Sequence, residues 1–218
     1  MNIDKILTDD LKNKIKNAVS EAEKKSGGEI VTYITQTSDD YKNIYWTAGF
    51  FAAFLGSSIF IFLYRFFQFI IPSSIFFLGI VFLLPMLIIS LLYLIKPLRL
   101  LLIDKEQINY YVNLKAKEVF LEKEIFNTID RTGVLIYISL FEKSVVVLGD
   151  SGINKKVSKD KWNSVIEIII KEIKNNSLVS GIVSGITLCG NILKENNVKR
   201  RVRDKNELDD NIQMGGKK

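Results

Sequence analysis

The sequence contains no histidine, a single cysteine and only three prolines. Without histidine the chain cannot form a Ser-His-Asp triad, a Cys-His dyad or a zinc site built on imidazole. Cys189 cannot form a disulfide within the chain, and its small and apolar sequence neighbours predict an inert, packed thiol. Any metal ion bound by this chain would therefore be held by oxygen atoms.

Charge is missing from two long stretches, Asn43–Tyr64 and Phe66–Ile95, which only Arg65 separates. About 20 apolar residues span the hydrocarbon core of a bilayer as a helix, so each stretch is long enough. Core helices of a small soluble domain would be shorter and would carry a polar face. We therefore predict a transmembrane helical hairpin over residues 45–95. Its predicted spans are residues 45–64 and 74–95.

Basic residues flank this helical hairpin at its two outer ends. Lys42 precedes it, and Lys96, Arg99 and Lys105 follow it, whereas the connection between the spans offers Arg65 alone. Because basic flanks favour the cytoplasmic side, the sequence predicts a multi-pass protein of the inner cell membrane with both termini in the cytoplasm. No apolar segment follows a short basic start, so we expect no signal peptide and expect the hairpin to be retained.

The net charge of +6 arises mainly at the flanks of the helical hairpin and in the segment after Leu193. The remaining soluble segments are close to neutral. A nucleic-acid-binding domain would carry a basic face on its folded part, so we expect no nucleic-acid partner. The basic run KRRVRDK is typical of a solvated tail, and it also fits a contact with anionic lipid head groups.

The soluble segments alternate helical and extended patterns. Apolar stripes at helical spacing predict helices over residues 8–25, 104–129, 158–175 and 177–195. β-branched and aromatic residues predict strands over Glu29–Thr35, Val134–Leu140 and Ser144–Leu148. The last two strands form a β-hairpin that is apolar on both faces, so helices should cover both sides of the sheet.

This order of elements predicts an α/β fold, with a small mixed sheet sandwiched by helices and interrupted by the two-helix transmembrane hairpin. Residues 1–44 and 104–195 are expected to be the two parts of one domain. Residues 196–218 lack periodicity and are expected to be a disordered polar tail.

Three segments of the soluble parts resemble the TPM-domain family. AEKKSGGEI (Ala22–Ile30) is similar to the helix–turn–strand opening of that family, and DRTGVLIYISLFEKSVVVLGDSGI (Asp130–Ile153) resembles its central strand pair. VSGIVSGI (Val179–Ile186) resembles its closing helix. The resemblance covers roughly residues 5–45 and 104–195, and it is greatest to bacterial members with a transmembrane hairpin between the halves.

The resemblance implies a cytoplasmic or peripheral α/β domain tethered to a membrane. Some plant relatives in the thylakoid lumen are described as weak acid phosphatases linked to photosystem repair, and other relatives are accessory subunits of membrane complexes. The internal hairpin of this chain departs from relatives that carry a signal peptide and one terminal anchor.

Three carboxylates meet at one end of the sheet if the strands pair as predicted. Asp130 precedes the first strand of the β-hairpin and Asp150 follows the second, so both lie at the same end. Glu29 joins them if its strand runs parallel to the first. Ca²⁺ and Mg²⁺ take oxygen ligands, so these three acids form a candidate metal site. The alternative is that they cap strand ends and pair with basic neighbours such as Arg131.

Two functions fit these features. The first is a membrane-tethered module of TPM type, without enzymatic activity, that binds or assists another membrane protein in the lipid bilayer. The alternative is a weak phosphatase dependent on Ca²⁺ or Mg²⁺, in which the metal acts as Lewis acid and activates water. A transport role is disfavoured because two helices without internal charge form no pathway.

Overall fold

The computed structural model describes residues 3, 7–67, 73–175, 177–201 and 206–215. The helices are α1 (Asp9–Lys25), α2 (Lys42–Phe67), α3 (Ser73–Leu94), α4 (Lys96–Leu101), α5 (Lys105–Glu122), α6 (Ser151–Asn154), α7 (Lys159–Lys174) and α8 (Leu178–Glu195). The strands are β1 (Glu29–Thr35), β2 (Gly133–Ser139), β3 (Ser144–Gly149) and β4 (Gln213–Gly215). These elements form two compact units, one of residues 1–39 and 109–218 and the other of residues 40–108.

The first unit contains a mixed sheet whose strand order is β3-β2-β1-β4. β1 runs parallel to β2, with Glu29 opposite Gly133 and Thr35 opposite Ser139, and β2 runs antiparallel to β3. Every residue of β1 and β2 is buried, as expected for strands that are covered on both faces. The predicted fold class, a small mixed sheet between helices, is confirmed.

One face of the sheet packs against α1, α7 and α8. The hydrophobic core on this face combines strand residues such as Ile30 and Ile136 with helix residues such as Val19, Val165 and Ile186. α8 lies very close to its neighbours because it is rich in glycine. A Cβ atom added at Gly185 would lie 2.4 Å from Ile169 Cγ1, and one added at Gly190 would lie 2.7 Å from Ala22 Cβ.

The opposite face of the sheet carries Tyr33 and Tyr137, whose rings stack with their centroids 5.8 Å apart. Burial raises the pKa of Tyr33, and the negative charges of Glu122 and Glu118 raise it further, so α5 lies on this face. The buried residues of α5 are Val112, Ala116 and Val119. The two-sided cover predicted from the apolar strands is therefore present.

The helix predicted to run to residue 129 ends earlier, so that part of the prediction is wrong. α5 ends at Glu122, and Glu124 has a left-handed backbone with φ of 49°. The N–H of Ile125 donates to Phe120 O at 3.1 Å and that of Glu124 to Leu121 O at 3.1 Å, which is the Schellman pattern of a helix C-terminus. Glycine usually occupies the left-handed position, and here glutamate does, so the sequence carries no stop signal.

The sequence also predicts a disordered tail over residues 196–218, and this is wrong for the part that the structure describes. Residues 213–215 form β4, which pairs in parallel with β1 so that Tyr33 lies opposite Gln213. A three-residue strand is too short to show alternation, so no sequence pattern marks it. Residues 202–205 and 216–218 lie outside the described residues.

The second unit is built around α2 and α3, which pack against each other and are each long and apolar enough to cross a membrane. Small residues let the helices approach closely. A Cβ atom added at Gly56 would lie 2.8 Å from both Ile80 Cγ2 and Leu84 Cδ2, and one at Gly49 would lie 2.9 Å from Ile89 Cδ1. The connection at residues 68–72 lies outside the described residues.

Candidate functional site

The three predicted acids lie at the end of the sheet where β1 and β2 begin and β3 ends. The parallel register places Glu29 opposite Gly133, and the backbone N–H of Asp150 donates to Gly133 O at 2.9 Å. Asp130 lies just before β2 at the same end. We call this region the acidic end of the sheet, defined by Glu29, Asp130 and Asp150.

Asp150 is almost fully buried and is held by a helix start and an arginine. Its Oδ1 accepts from the backbone N–H of Ser151 at 2.6 Å, so it caps the short helix α6. Arg131 places Nε 2.7 Å from Asp150 Oδ2, and its NH2 group donates to Oδ1 at 3.1 Å. Arg131 also lies over the ring of Phe126, 5.3 Å from the centroid. Arg131 is therefore the cationic partner of Asp150.

Asp130 pairs with a residue from the far end of the chain. Its Oδ2 lies 3.2 Å from Arg201 Nε, and the NH2 group of Arg201 also donates to Glu207 Oε1 at 2.6 Å. Asp130 is half-exposed, so this ion pair is screened by solvent. The sequence neighbour Arg131 pairs with Asp150 and leaves Asp130 to Arg201.

Glu29 is 7% exposed and is covered by residues 206–215, which we call the C-terminal segment. Its Oε2 accepts from the backbone N–H of Glu207 at 3.3 Å and of Leu208 at 3.2 Å. The Oε2 atom of Glu207 in turn accepts from the N–H of Ile129 at 3.0 Å. The C-terminal segment is therefore fastened to the acidic end through carboxylate-to-backbone hydrogen bonds.

Each predicted ligand thus has its own protein partner. Within the ranges that the structure describes, no group of three or more His, Cys, Asp and Glu residues is placed to hold a metal ion. The ion-pair alternative accounts for Asp130 and Asp150, and backbone donors account for Glu29. The metal site at Glu29, Asp130 and Asp150 stays a prediction from the sequence, to which the geometry adds no support.

A small cavity of about 140 Å³ adjoins the acidic end and contains an acid that the sequence did not single out. Glu23 lies in the last turn of α1, and its Oε1 accepts from the N–H of Ile30 at 2.7 Å. Burial raises the pKa of Glu23 to about 8, and the neighbouring charges of Glu29 and Asp210 contribute to the rise. The cavity is lined by Ser20, Glu23, Lys24, Ser26, Glu29, Arg200, Asn206 and Asp210.

Glu23 therefore holds a proton near neutral pH in this cavity. Asp210 of the C-terminal segment lines the same cavity, and its negative charge favours the protonated form of Glu23. No sequence signal marked Glu23, because a glutamate in the last turn of a charged helix ordinarily faces solvent. Its neighbour Asp210 belongs to the segment that the sequence predicts to be disordered.

Another buried acid, Glu142, lies at the opposite end of the sheet, where β1 and β2 end. Its Oε1 accepts from the N–H of Ser38 at 2.8 Å and from the hydroxyl of Thr37 at 3.2 Å, and its Oε2 accepts from the hydroxyl of Ser139. Ser38 is also within 3.0 Å of the Tyr137 hydroxyl. These donors satisfy the carboxylate and join the loop after β1 to the β-hairpin, which is a structural role.

Cys189 is fully buried, and burial raises the pKa of its thiol to about 12. The prediction of an inert, packed cysteine is confirmed, because the reactive thiolate form is suppressed at neutral pH.

Comparison with known proteins supports the family predicted from the sequence. The model of the TPM domain matches residues 100–192, which include β2, β3 and most of the helices that cover them. The predicted resemblance of residues 5–45 lies outside the matched range. No curated protein matches the chain.

A solved structure with a similar fold is the NMR structure of BA42 protein from the psychrophilic bacterium Bizionia argentinensis sp. nov.. The two have a TM-score of 0.61 and 23% sequence identity, and the match covers 98% of this chain and 99% of that chain. At this identity the likeness establishes the fold alone. The family match and the predicted motifs agree over the second half of the sheet, where residues 100–192 are similar to the TPM domain.

Proposed function

We propose that this chain is a TPM domain held at a membrane by its helical hairpin, where it binds another membrane protein. The observation that carries the proposal is the exposure of α2 and α3. In the most apolar 18-residue stretch of each helix, only 11% of α2 and 6% of α3 is buried. Core helices of a soluble protein bury their apolar side chains, whereas lipid-facing helices leave them on the outside.

Large apolar side chains are exposed along the full length of both helices of this unit. Contiguous apolar surface of this extent on a soluble monomer marks an interaction site. The most exposed members along the two helices are Trp46, Phe50, Phe54, Phe62, Phe66, Phe82, Leu83, Met86, Leu87, Tyr93 and Leu94. In a bilayer the acyl chains cover this apolar surface, and a transmembrane helix of a partner protein packs against part of it.

The distribution of basic residues supports an orientation with both termini in the cytoplasm. Lys42 and Arg99 lie at the open end of the helical hairpin, whereas Arg65 lies near the closed end. More basic residues therefore lie at the end of the hairpin that leads into the TPM domain than at the other end. The end with more basic residues usually stays on the cytoplasmic side of an inner membrane.

Binding is favoured over catalysis by the side chains that the chain offers. It has no histidine, its single thiol is buried, and the acids at the acidic end are engaged by arginines or backbone N–H groups. The alternative of a weak phosphatase dependent on Ca²⁺ or Mg²⁺ remains a proposal from the resemblance. None of the described contacts favours it over the binding role.

Membrane attachment is tested by vesicle flotation of the full chain and of two variants with equally exposed sites. Phe54→Lys places a charge in the middle of α2, and Leu121→Lys places one on α5 of the TPM domain; the original residues are 60% and 62% exposed. A lysine at the centre of a bilayer-spanning helix costs about 2.5–3.5 kcal/mol. We expect Phe54→Lys to reduce the floating fraction strongly and Leu121→Lys to leave it unchanged.

Orientation is tested separately, with a tag at each terminus. Protease is added to sealed vesicles that are either inverted or right-side-out, and cleavage of each tag is measured. Cleavage of both tags only in inverted vesicles supports cytoplasmic termini. A full chain that stays at the bottom of the gradient, or a tag cleaved in right-side-out vesicles, contradicts the proposal.

A further inference from the structure

A groove lies at the open end of the helical hairpin, wholly within the second unit. It has a volume of about 550 Å³ and is formed by the first turns of α2 and the last turns of α3. Its lining residues are Lys42, Tyr45, Trp46, Ile89, Ser90, Tyr93 and Leu94. The groove therefore lies where the apolar helices give way to charged sequence.

The walls of this groove are aromatic and apolar and open to the surroundings. Trp46, Tyr93 and Leu94 are each about three-quarters exposed. Rings with one polar atom are typical of the membrane–water interface, because their apolar body lies among acyl chains and their polar tip among head groups. Ile89 continues the wall towards the middle of α3, in the direction that an acyl chain would follow.

Positive charge lies at the rim of the groove. The Lys42 side chain is 79% exposed, and its ammonium group lies 3.5 Å from Asp40, which is itself 71% exposed. Such an exposed pair is weak, so the ammonium group is available to a stronger anion. Arg99 lies over the Tyr45 ring at 5.8 Å from its centroid and donates to the Tyr45 hydroxyl, which adds a second cation beside the groove.

We propose that this groove binds one anionic phospholipid, with its phosphate at Lys42 and an acyl chain along Ile89 and Leu94. The inference rests on the proposed membrane attachment of the hairpin. Charge complementarity selects the anionic head group, because Lys42 lines the groove and Arg99 lies beside its Tyr45 wall, whereas the acid next to Lys42 is the exposed Asp40. The apolar walls and the volume select a lipid over a free phosphate, which would contact only the rim.

Native mass spectrometry of the full chain in detergent tests the groove with phosphatidylglycerol and phosphatidylcholine of the same acyl chains. We expect one phosphatidylglycerol to be retained with clear preference over phosphatidylcholine. Lys42→Gln should weaken phosphatidylglycerol binding roughly fivefold, as expected for one lysine at an anionic membrane surface. Asp40→Asn should strengthen it, because it removes the competing carboxylate.

Two matched variants locate the effect in the groove. Lys105→Gln removes the same charge from the start of α5 and should leave lipid retention unchanged. Tyr93→Ala removes a wall of the groove and should weaken phosphatidylglycerol binding, whereas Tyr110→Ala, which changes a similarly exposed tyrosine of the TPM domain, should not.

Equal retention of the two lipids, equal losses in Lys42→Gln and Lys105→Gln, or a dimer of this chain that excludes the lipid would each overturn the inference. Its failure is distinguishable from failure of the proposed function. A chain that floats with vesicles but shows no anionic preference contradicts the groove alone, whereas a chain that does not float contradicts the membrane attachment itself.

Discussion

At the residue scale, the group most sensitive to its surroundings is the carboxyl of Glu23. It lies between α1 and the C-terminal segment and faces Glu29 of β1 and Asp210, while Lys24 and Arg200 line the same cavity. Burial is the largest cause of its raised pKa, and the two neighbouring acids act in the same direction. The neutral form of Glu23 is therefore part of the folded structure.

The raised pKa predicts that stability falls as pH rises. The pKa of Glu23 is about 8 in the folded chain and near 4.5 in the unfolded chain, so the folded state binds this proton more tightly. Its contribution is complete below about pH 4.5 and is lost as pH rises through about 8. Glu23→Gln keeps a neutral acceptor for Ile30, and it should flatten the decline of the melting temperature between pH 5 and 9.

The control for this measurement is Glu21→Gln on the same helix. Glu21 is fully exposed and pairs with Lys24, and this pairing lowers its pKa, so its neutralisation should leave the decline between pH 5 and 9 in place. Parallel pH profiles for the two variants would show that Glu23 does not hold the proton.

At the element scale, the contact between α2 and α3 depends on glycines that admit side chains of the opposite helix. Gly56 receives Ile80 and Leu84, whereas Gly79 has only Leu83 of its own helix near the position of a Cβ atom, at 3.9 Å. A side chain at position 56 would therefore clash with the opposite helix, whereas a side chain at position 79 has room, although both glycines lie in the same helical hairpin.

Larger residues at these two glycines should have opposite effects. Gly56→Leu forces the helices apart and should destabilise the hairpin by about 1–3 kcal/mol, the usual cost of overpacking. Gly79→Leu gains helix propensity and should be neutral or stabilising by up to about 1 kcal/mol. Thermal unfolding of the full chain in detergent, followed by tryptophan fluorescence, compares the two variants. A similar loss in both would show that the helices do not pack through Gly56.

The elements that the sequence predicted well are those with a strong local signal. β1 has the predicted bounds because β-branched and aromatic residues dominate it. α1, α7 and α8 differ from prediction by about a residue at their ends, because their apolar stripes are pronounced. The end of α5 was missed because Glu124 adopts the left-handed position without being glycine. β4 was missed because three residues carry no periodicity.

The acidic end was predicted in position but not in its contacts. The β-hairpin and the parallel pairing place Glu29, Asp130 and Asp150 at one end as the sequence predicted. The sequence named Arg131 as a partner, and it pairs with Asp150. The partners of Asp130 and Glu29 were not foreseeable, because Arg201 and Glu207 come from a segment without any local pattern, and side-chain pairing across the chain depends on tertiary packing.

At the scale of the whole molecule, one hydrophobic core belongs entirely to the first unit. All buried residues of the core cluster, from Ile3 to Ile212, come from residues 1–39 or 109–218. The helical hairpin contributes none of them. Residues 1–39 and 109–218 thus form one compact unit whose two parts are far apart in sequence.

This organisation predicts that the first unit folds without the helical hairpin. Replacement of residues 42–104 by a flexible Gly/Ser linker of about 20 residues should give a soluble protein that unfolds cooperatively. Ile186→Ala in this shortened protein should cost about 2–5 kcal/mol, as for a fully buried core residue. Urea unfolding followed by circular dichroism measures both quantities. A broad transition that Ile186→Ala does not shift would contradict an independent core.

The parallel pairing of β1 with β2 also means that β1 is synthesised well before the strand with which it pairs. β1 leaves the ribosome on the order of 100 residues before its partner, which amounts to roughly 5–20 s at ordinary rates of translation. All seven residues of β1 are buried in the finished fold, so during this interval the nascent chain exposes an unpaired, largely apolar strand. An unpaired apolar strand of this kind is a site of aggregation and of chaperone binding until its partner emerges.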